Sequence, residues 1–181
     1  MLIVIIEIIA GFIFSAVFLV MAYLIISIIS LVFIRVPYVN TPLSYIKKIT
    51  PELGISSESV VYDLGCGNGD FLLEALKFNP KKCVGFEIAP IAYASAILNT
   101  FLKDKGKISL RLENFLKADL SVPDILYIYL IPRAIAPLES KLKCELRPGA
   151  KFVCVGSHMP NWTPIKEIIL KDNYKAYIYQ K

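Results

Sequence analysis

Of 181 residues, 56% are hydrophobic and only 19% charged, against about 45–50% and about 25% in an ordinary soluble domain. The imbalance is local: residues 1–34 carry one charge, Glu7, so residues 35–181 hold all 20 basic groups and 14 of the 15 acids. One greasy segment joined to one ordinary domain excludes intrinsic disorder, a coiled coil, a disulfide-stapled miniprotein and a polytopic membrane protein.

Residues 8–34 contain no charge. At about 1.5 Å per residue such a helix extends about 40 Å, whereas about 20 residues cross the hydrocarbon core. A cleaved secretory leader would open with basic residues and close on a small-x-small site; this segment opens with an acid and runs too long. Residues 8–34 are therefore expected to cross the lipid bilayer once and to be retained. Arg35, Lys47 and Lys48 follow the span and no basic residue precedes it. The positive-inside tendency then places the rest of the chain on the cytoplasmic side.

Beyond the span, Thr41-Pro42 has the form of an N-cap followed by proline in the first helical turn, predicting a helix over 42–50. Strand-like runs follow at 60–63, 82–88, 108–113, 125–130 and 151–155, with helical stretches at 70–77, 90–103 and 132–146 between them. This alternation predicts an α/β fold with a parallel sheet covered on both faces. The tail breaks the rhythm: 165–170 and 175–180, joined by a short polar turn, predict an antiparallel hairpin. The chain thus divides into an anchor (1–34), a juxtamembrane linker with a short helix (35–50) and a sheet domain (51–181).

Cys66, Cys83, Cys144 and Cys154 form no C-x-x-C pair, and His158 is the single histidine. No metal is expected from such a set, and little material remains for a Ser-His-Asp triad. Free thiols suit a reducing compartment. In residues 35–181, 20 basic against 14 acidic groups leave a net +6, yet no basic run exceeds two residues. That suits anionic headgroups near Arg35, Lys47 and Lys48 and argues against a nucleic-acid partner.

The stretch Asp63-Leu64-Gly65-Cys66-Gly67-Asn68-Gly69 lies between the first predicted strand and the helix after it, where a doubly wound sheet places its ligand. Glycines let the backbone approach that ligand closely. Glu87, closing the second strand, is positioned to accept two hydrogen bonds from a ribose diol. The spacing is G-x-G-x-G preceded by an acid, not the dinucleotide fingerprint G-x-G-x-x-G. A cleft of this kind suits a nucleoside without phosphate.

These features resemble the class I S-adenosylmethionine-dependent methyltransferases, and the resemblance implies a Rossmann-like sheet with S-adenosyl-L-methionine as cofactor. Residue by residue it implies cofactor-binding roles for Asp63, Gly65, Gly67, Gly69 and Glu87, with Asn114 at the end of the third strand near the adenine. The Arg147-Pro148-Gly149 lead-in to the fifth strand also looks typical. A narrower likeness covers nearly the whole chain. The lone span, Val36-Pro37-Tyr38-Val39-Asn40-Thr41-Pro42, Tyr127-Ile128-Tyr129-Leu130-Ile131-Pro132 and Pro160-Asn161-Trp162-Thr163-Pro164 look like the single-span lysine methyltransferases that modify the adenine nucleotide translocase and the ATP synthase c subunit. Asn114-Phe115 departs from that group, many of whose members carry an acid before the aromatic.

The likeness implies an enzyme that methylates a lysine side chain of a membrane protein. Tyr129, at the carboxyl end of the fourth strand, lies where class I enzymes place the acceptor, and Tyr127 shares its face. Trp162, in the loop after the fifth strand, is expected to fold over the same mouth; Tyr129 and Trp162 are the candidate catalytic residues. No D/N-P-P-Y follows the fourth strand, which argues against methylation of nucleic-acid bases. Two alternatives stand beside this reading: a methyltransferase for a lipid or quinone-like small molecule, and a non-catalytic nucleotide-binding membrane module.

Overall fold

The computed structural model describes residues 2–34, 41–104 and 106–181, so Arg35 and the Val36–Asn40 part of the motif after the span lie outside the described residues. The chain divides into two units, Met1–Pro37 and Tyr38–Lys181. The first consists of helix α1 (Leu2–Ile34). Its stretch Ile5–Ile29 is long and apolar enough to cross a membrane and is not buried within the protein. Nothing in its sequence separates an apolar from a polar face, so packing against one side of a water-soluble core would not satisfy it.

The second unit opens with α2 (Leu43–Ile49), followed by β1 (Val60–Leu64), α3 (Asp70–Ala75), β2 (Lys82–Glu87) and α4 (Pro90–Phe101). Then come β3 (Ile108–Leu112), β4 (Ile125–Ile128), α5 (Pro132–Glu145), β5 (Lys151–Val155), β6 (Lys166–Lys171) and β7 (Tyr174–Gln180). The seven strands form one sheet in the order β3-β2-β1-β4-β5-β7-β6. β1 to β5 run parallel; β7 pairs antiparallel with both β5 and β6. The C-terminal hairpin is thus antiparallel, as the sequence predicts, with its last strand inserted inside the sheet. The order reverses between β1 and β4, which opens a crevice beyond their carboxyl ends.

Alternation along the strands sorts side chains into two core layers. One holds Val61, Ile125, Tyr127, Val153 and Ile178 with α2 and α3 residues such as Ile46, Ile49 and Phe71. The other holds Tyr62, Leu64, Leu126, Ile128, Phe152 and Tyr179 with Leu138 and Leu142 of α5.

Two local expectations are corrected. The N-cap of α2 is Pro42, in an extended conformation and without a side-chain cap. Thr41 instead offers its Oγ1 to the Tyr127 hydroxyl, 3.3 Å away. The fourth strand ends at Ile128, because β1 stops at Leu64 and the last paired residue is Ile128. Tyr129 and Leu130 are therefore released from the ladder beside the glycine turn.

Candidate active site

The turn after β1 is built on positive φ: Gly65, Gly67 and Gly69 stand at +86°, +55° and +82°. A Cβ at Gly69 would lie 3.1 Å from Thr100 Cγ2 of α4, so at this positive φ glycine lets the turn lie close against α4 without strain. Side chains lock it further. Asn99 of α4 donates from Nδ2 to the Asn68 carbonyl (3.1 Å) and to Asp70 Oδ1 (3.0 Å). Asn68 Nδ2 in turn donates to Asp70 Oδ2 at 2.9 Å.

Asp63 and Glu87 reach the turn from adjacent strands. Asp63 is 3% exposed, and none of the described side-chain hydrogen bonds involves its carboxylate. Burial first, then the neighbouring charges of Glu87 and Asp70, push its carboxyl well above the usual range. Glu87, also buried, is held by the backbone: Oε2 accepts from Gly67 N (2.9 Å), and Oε1 accepts from Ile88 N and Ala89 N (both 2.8 Å). A carboxylate has about four acceptor positions. One remains for a ribose hydroxyl, where the sequence led us to expect two.

A narrow crevice beside Asp63 opens to solvent. Its lining includes Gly65, Gly67 and Asp70 as well as Thr41, Phe71, Tyr127 and Tyr129. Tyr127 is buried, stacked on Phe71 with ring centroids 4.0 Å apart, and burial raises its hydroxyl pKa. Tyr129 is half-buried; burial, and then the neighbouring Tyr129 hydroxyl, push the Tyr174 pKa up. Tyr174 reaches this place because position 156 is glycine: a Cβ there would sit 2.0 Å from the Tyr174 oxygen. Tyr45 completes the group, its ring centroid 5.8 Å from that of Tyr174.

The structure brings together Asp63, the three glycines, Glu87 and Tyr129, but not Trp162. Trp162 packs edge-on against Phe152 (4.9 Å between centroids) and beside Tyr179, in the α5 layer of the core. Tyr127 and Tyr129 belong to the opposite layer, so Trp162 does not fold over their mouth. Asn114 caps the turn at Phe115–Lys117, accepting from Leu116 N at 2.9 Å, which leaves its Nδ2 free to donate. Thr41, Tyr45, Asn99 and Tyr174 were missed in sequence reading. Only Thr41 carried a local signal, and it pointed to capping.

The chemistry of this lining suits the donor. Asp63, whose carboxylate lines the crevice and accepts no side-chain hydrogen bond among the described residues, suits a cationic hydrogen-bond donor, which the α-ammonium of S-adenosylmethionine provides. The remaining acceptor position on Glu87 suits its ribose.

A family model described as the ANTKMT methyltransferase domain matches residues 63–166. A protein-lysine N-methyltransferase of Saccharolobus islandicus is 33% identical over 150 residues, 80% of this chain and 93% of that one. The mouse adenine nucleotide translocase lysine N-methyltransferase is 26% identical over 73% of this chain and 58% of its own length. Among solved structures, a Salinibacter ruber RNA methyltransferase in complex with S-adenosyl-L-homocysteine superposes with a TM-score of 0.73. At 24% identity, covering 78% of this chain and 93% of that one, it shares the fold. The cofactor is S-adenosylmethionine, and the chain belongs to the family of the ANTKMT methyltransferase domain.

Proposed function

We propose that this chain is a membrane-anchored methyltransferase that modifies a lysine side chain of a membrane protein, with its sheet domain on the cytoplasmic side. The supporting observation is a single crevice that joins Asp63 and the glycine turn to Tyr127 and Tyr129. Two relatives named for lysine methylation match most of the chain, and an apolar helix suited to a bilayer precedes the sheet domain.

S-adenosylmethionine supplies an electrophilic methyl group, to which the lysine Nζ lone pair bonds as the carbon–sulfur bond breaks. The chain's residues must therefore present a neutral, aimed amine. A lysine is protonated at neutral pH, with an ordinary pKa of about 10.4. Ring faces attract its ammonium by about 0.5–2 kcal/mol, and burial among Phe71, Tyr127 and Tyr129 then favours the neutral form. The proton leaves through the open mouth to solvent. Tyr129, half-buried on the lining of the same crevice, has acceptor capacity for an amine N–H. Tethering to the bilayer raises the effective concentration of membrane substrates.

The test is to incubate the detergent-solubilised full chain with radiolabelled S-adenosylmethionine and host membranes. A few labelled protein bands that yield methyllysine on hydrolysis are expected. Label that partitions into organic solvent would overturn the lysine assignment in favour of a lipid or quinone acceptor. Cofactor binding in calorimetry without turnover on any membrane fraction would leave only a binding module.

A further inference from the structure

Helix α4 is built inside out. It buries Ala92, Ala96 and Thr100 against the sheet, while Leu98, Phe101 and Leu102 at and just beyond its end are 78%, 76% and 88% exposed. Large apolar side chains usually take the buried side and small ones the exposed side. Residues three and four apart share a helix face, so Leu98, Phe101 and Leu102 form one contiguous apolar stripe. α4 has no charged residue; Lys103 follows at its end. The Lys103 ammonium contacts only the Asn99 side-chain oxygen, at 3.1 Å, among the described residues.

The stripe has company. Lys103 lines an open crevice together with Leu43 and Lys47 of α2; the two carboxylates on that lining are engaged, Glu74 by Lys77 and Asp70 by Asn68 and Asn99. Leu43 is half exposed, and Lys47 and Lys48 are exposed with no carboxylate partner among the described residues. An exposed apolar stripe flanked by unpaired lysines is the composition of a helix lying in a lipid–water interface: apolar side chains enter the acyl boundary and cations meet anionic headgroups. Chain length supports that occupant. Seven peptide steps from Ile34 to Thr41 reach at most about 25 Å whatever their course, so α2 cannot stray far from the end of an anchored α1.

We propose that the exposed faces of α4 and α2 form a bilayer-docking surface, in which Leu98, Phe101 and Leu102 enter the interface and Lys47, Lys48 and Lys103 contact anionic lipid. This rests on the membrane-anchored reading above. α4 also holds the glycine turn through Asn99, so docking fixes the donor crevice in orientation to the membrane as well as in distance.

The experiment uses the full chain in vesicles of phosphatidylcholine and phosphatidylglycerol in equal parts. A nitroxide is placed on Leu102→Cys in a Cys144→Ser background, or on native Cys144, which is exposed, as the control. At position 102 docking predicts loss of relaxation by an aqueous nickel chelate, gain of relaxation by oxygen, and reversal of both in phosphatidylcholine alone at high salt. Cys144 is expected to stay open to the chelate throughout. Equal chelate accessibility at both positions in a chain that floats with the vesicles would overturn the docking surface while sparing the anchor. A chain that does not float would overturn the anchor itself. Dipolar broadening at 102 that grows with protein-to-lipid ratio would replace the bilayer with a second copy.

Discussion

Asp63 and Glu87 are both buried carboxylates beside the same turn, and they are held in opposite ways. Glu87 accepts three backbone N–H bonds; Asp63 accepts none among the described residues and has its carboxyl pKa raised by burial. Glu87→Gln is therefore expected to lower the melting temperature of the cofactor-free protein, because charge-assisted bonds of about 1.5–3 kcal/mol each are weakened. Asp63→Asn should leave that temperature unchanged or raise it, while weakening S-adenosylmethionine binding about ten- to hundredfold in calorimetry. An unaltered affinity in Asp63→Asn would displace the donor from this crevice. The raised pKa also sets a pH dependence. The folded state holds the Asp63 proton more tightly than the unfolded chain, so its contribution to stability is fully present below about pH 4 and is lost as pH rises through the folded pKa. Thermal scans across that window should show the decline in the parent and its absence in Asp63→Asn. Cofactor binding, which brings a cation to the ionised carboxylate, should strengthen over the same rise. For Tyr129, removal of the hydroxyl in Tyr129→Phe should cut kcat more than cofactor affinity. Equal losses in both would reassign it to donor binding.

The elements show what local pattern can and cannot reveal. Strands β1 to β5 and their helices were legible because apolar runs, prolines and glycines punctuate them, and Asp63, the glycines and Glu87 sit at fixed places in that rhythm. The other contributors come from afar. Thr41 meets Tyr127 across 86 positions, and Tyr174 reaches Tyr129 only because Gly156 leaves room. Nothing in their neighbourhoods records these meetings. Trp162 misled for a related reason: it lies between β5 and β6, outside the strands' alternation, and packing on Phe152 rather than periodicity chose its layer. Asn99 looks like an ordinary polar residue on α4, yet it donates to both the turn carbonyl and Asp70. Asn99→Ala should loosen the turn and weaken S-adenosylmethionine binding about five- to tenfold, roughly 1 kcal/mol for a lost hydrogen bond. A wild-type dissociation constant would show that Gly69 and its neighbours hold the turn unaided.

For the molecule as a whole, the apolar helix α1 and the sheet domain differ in charge content alone enough to be told apart in the sequence, since a segment suited to a bilayer excludes charged side chains that a water-facing domain requires. Full-length protein in host membranes should resist washing with concentrated salt and alkaline carbonate and be released only by detergent; recovery in the carbonate supernatant would refute a spanning α1. The placement of β7 was not legible, since hairpin signals give pairing between neighbours and not insertion beside β5. That insertion has a consequence for synthesis. The glycine turn leaves the ribosome early, whereas β6 reaches the sheet through its pairing with β7, so neither joins β5 until residues 174–180 have emerged. A translation product stalled before residue 174 would therefore carry the glycine turn, Tyr127 and Tyr129 while lacking the last two strand pairings and the Tyr174 ring.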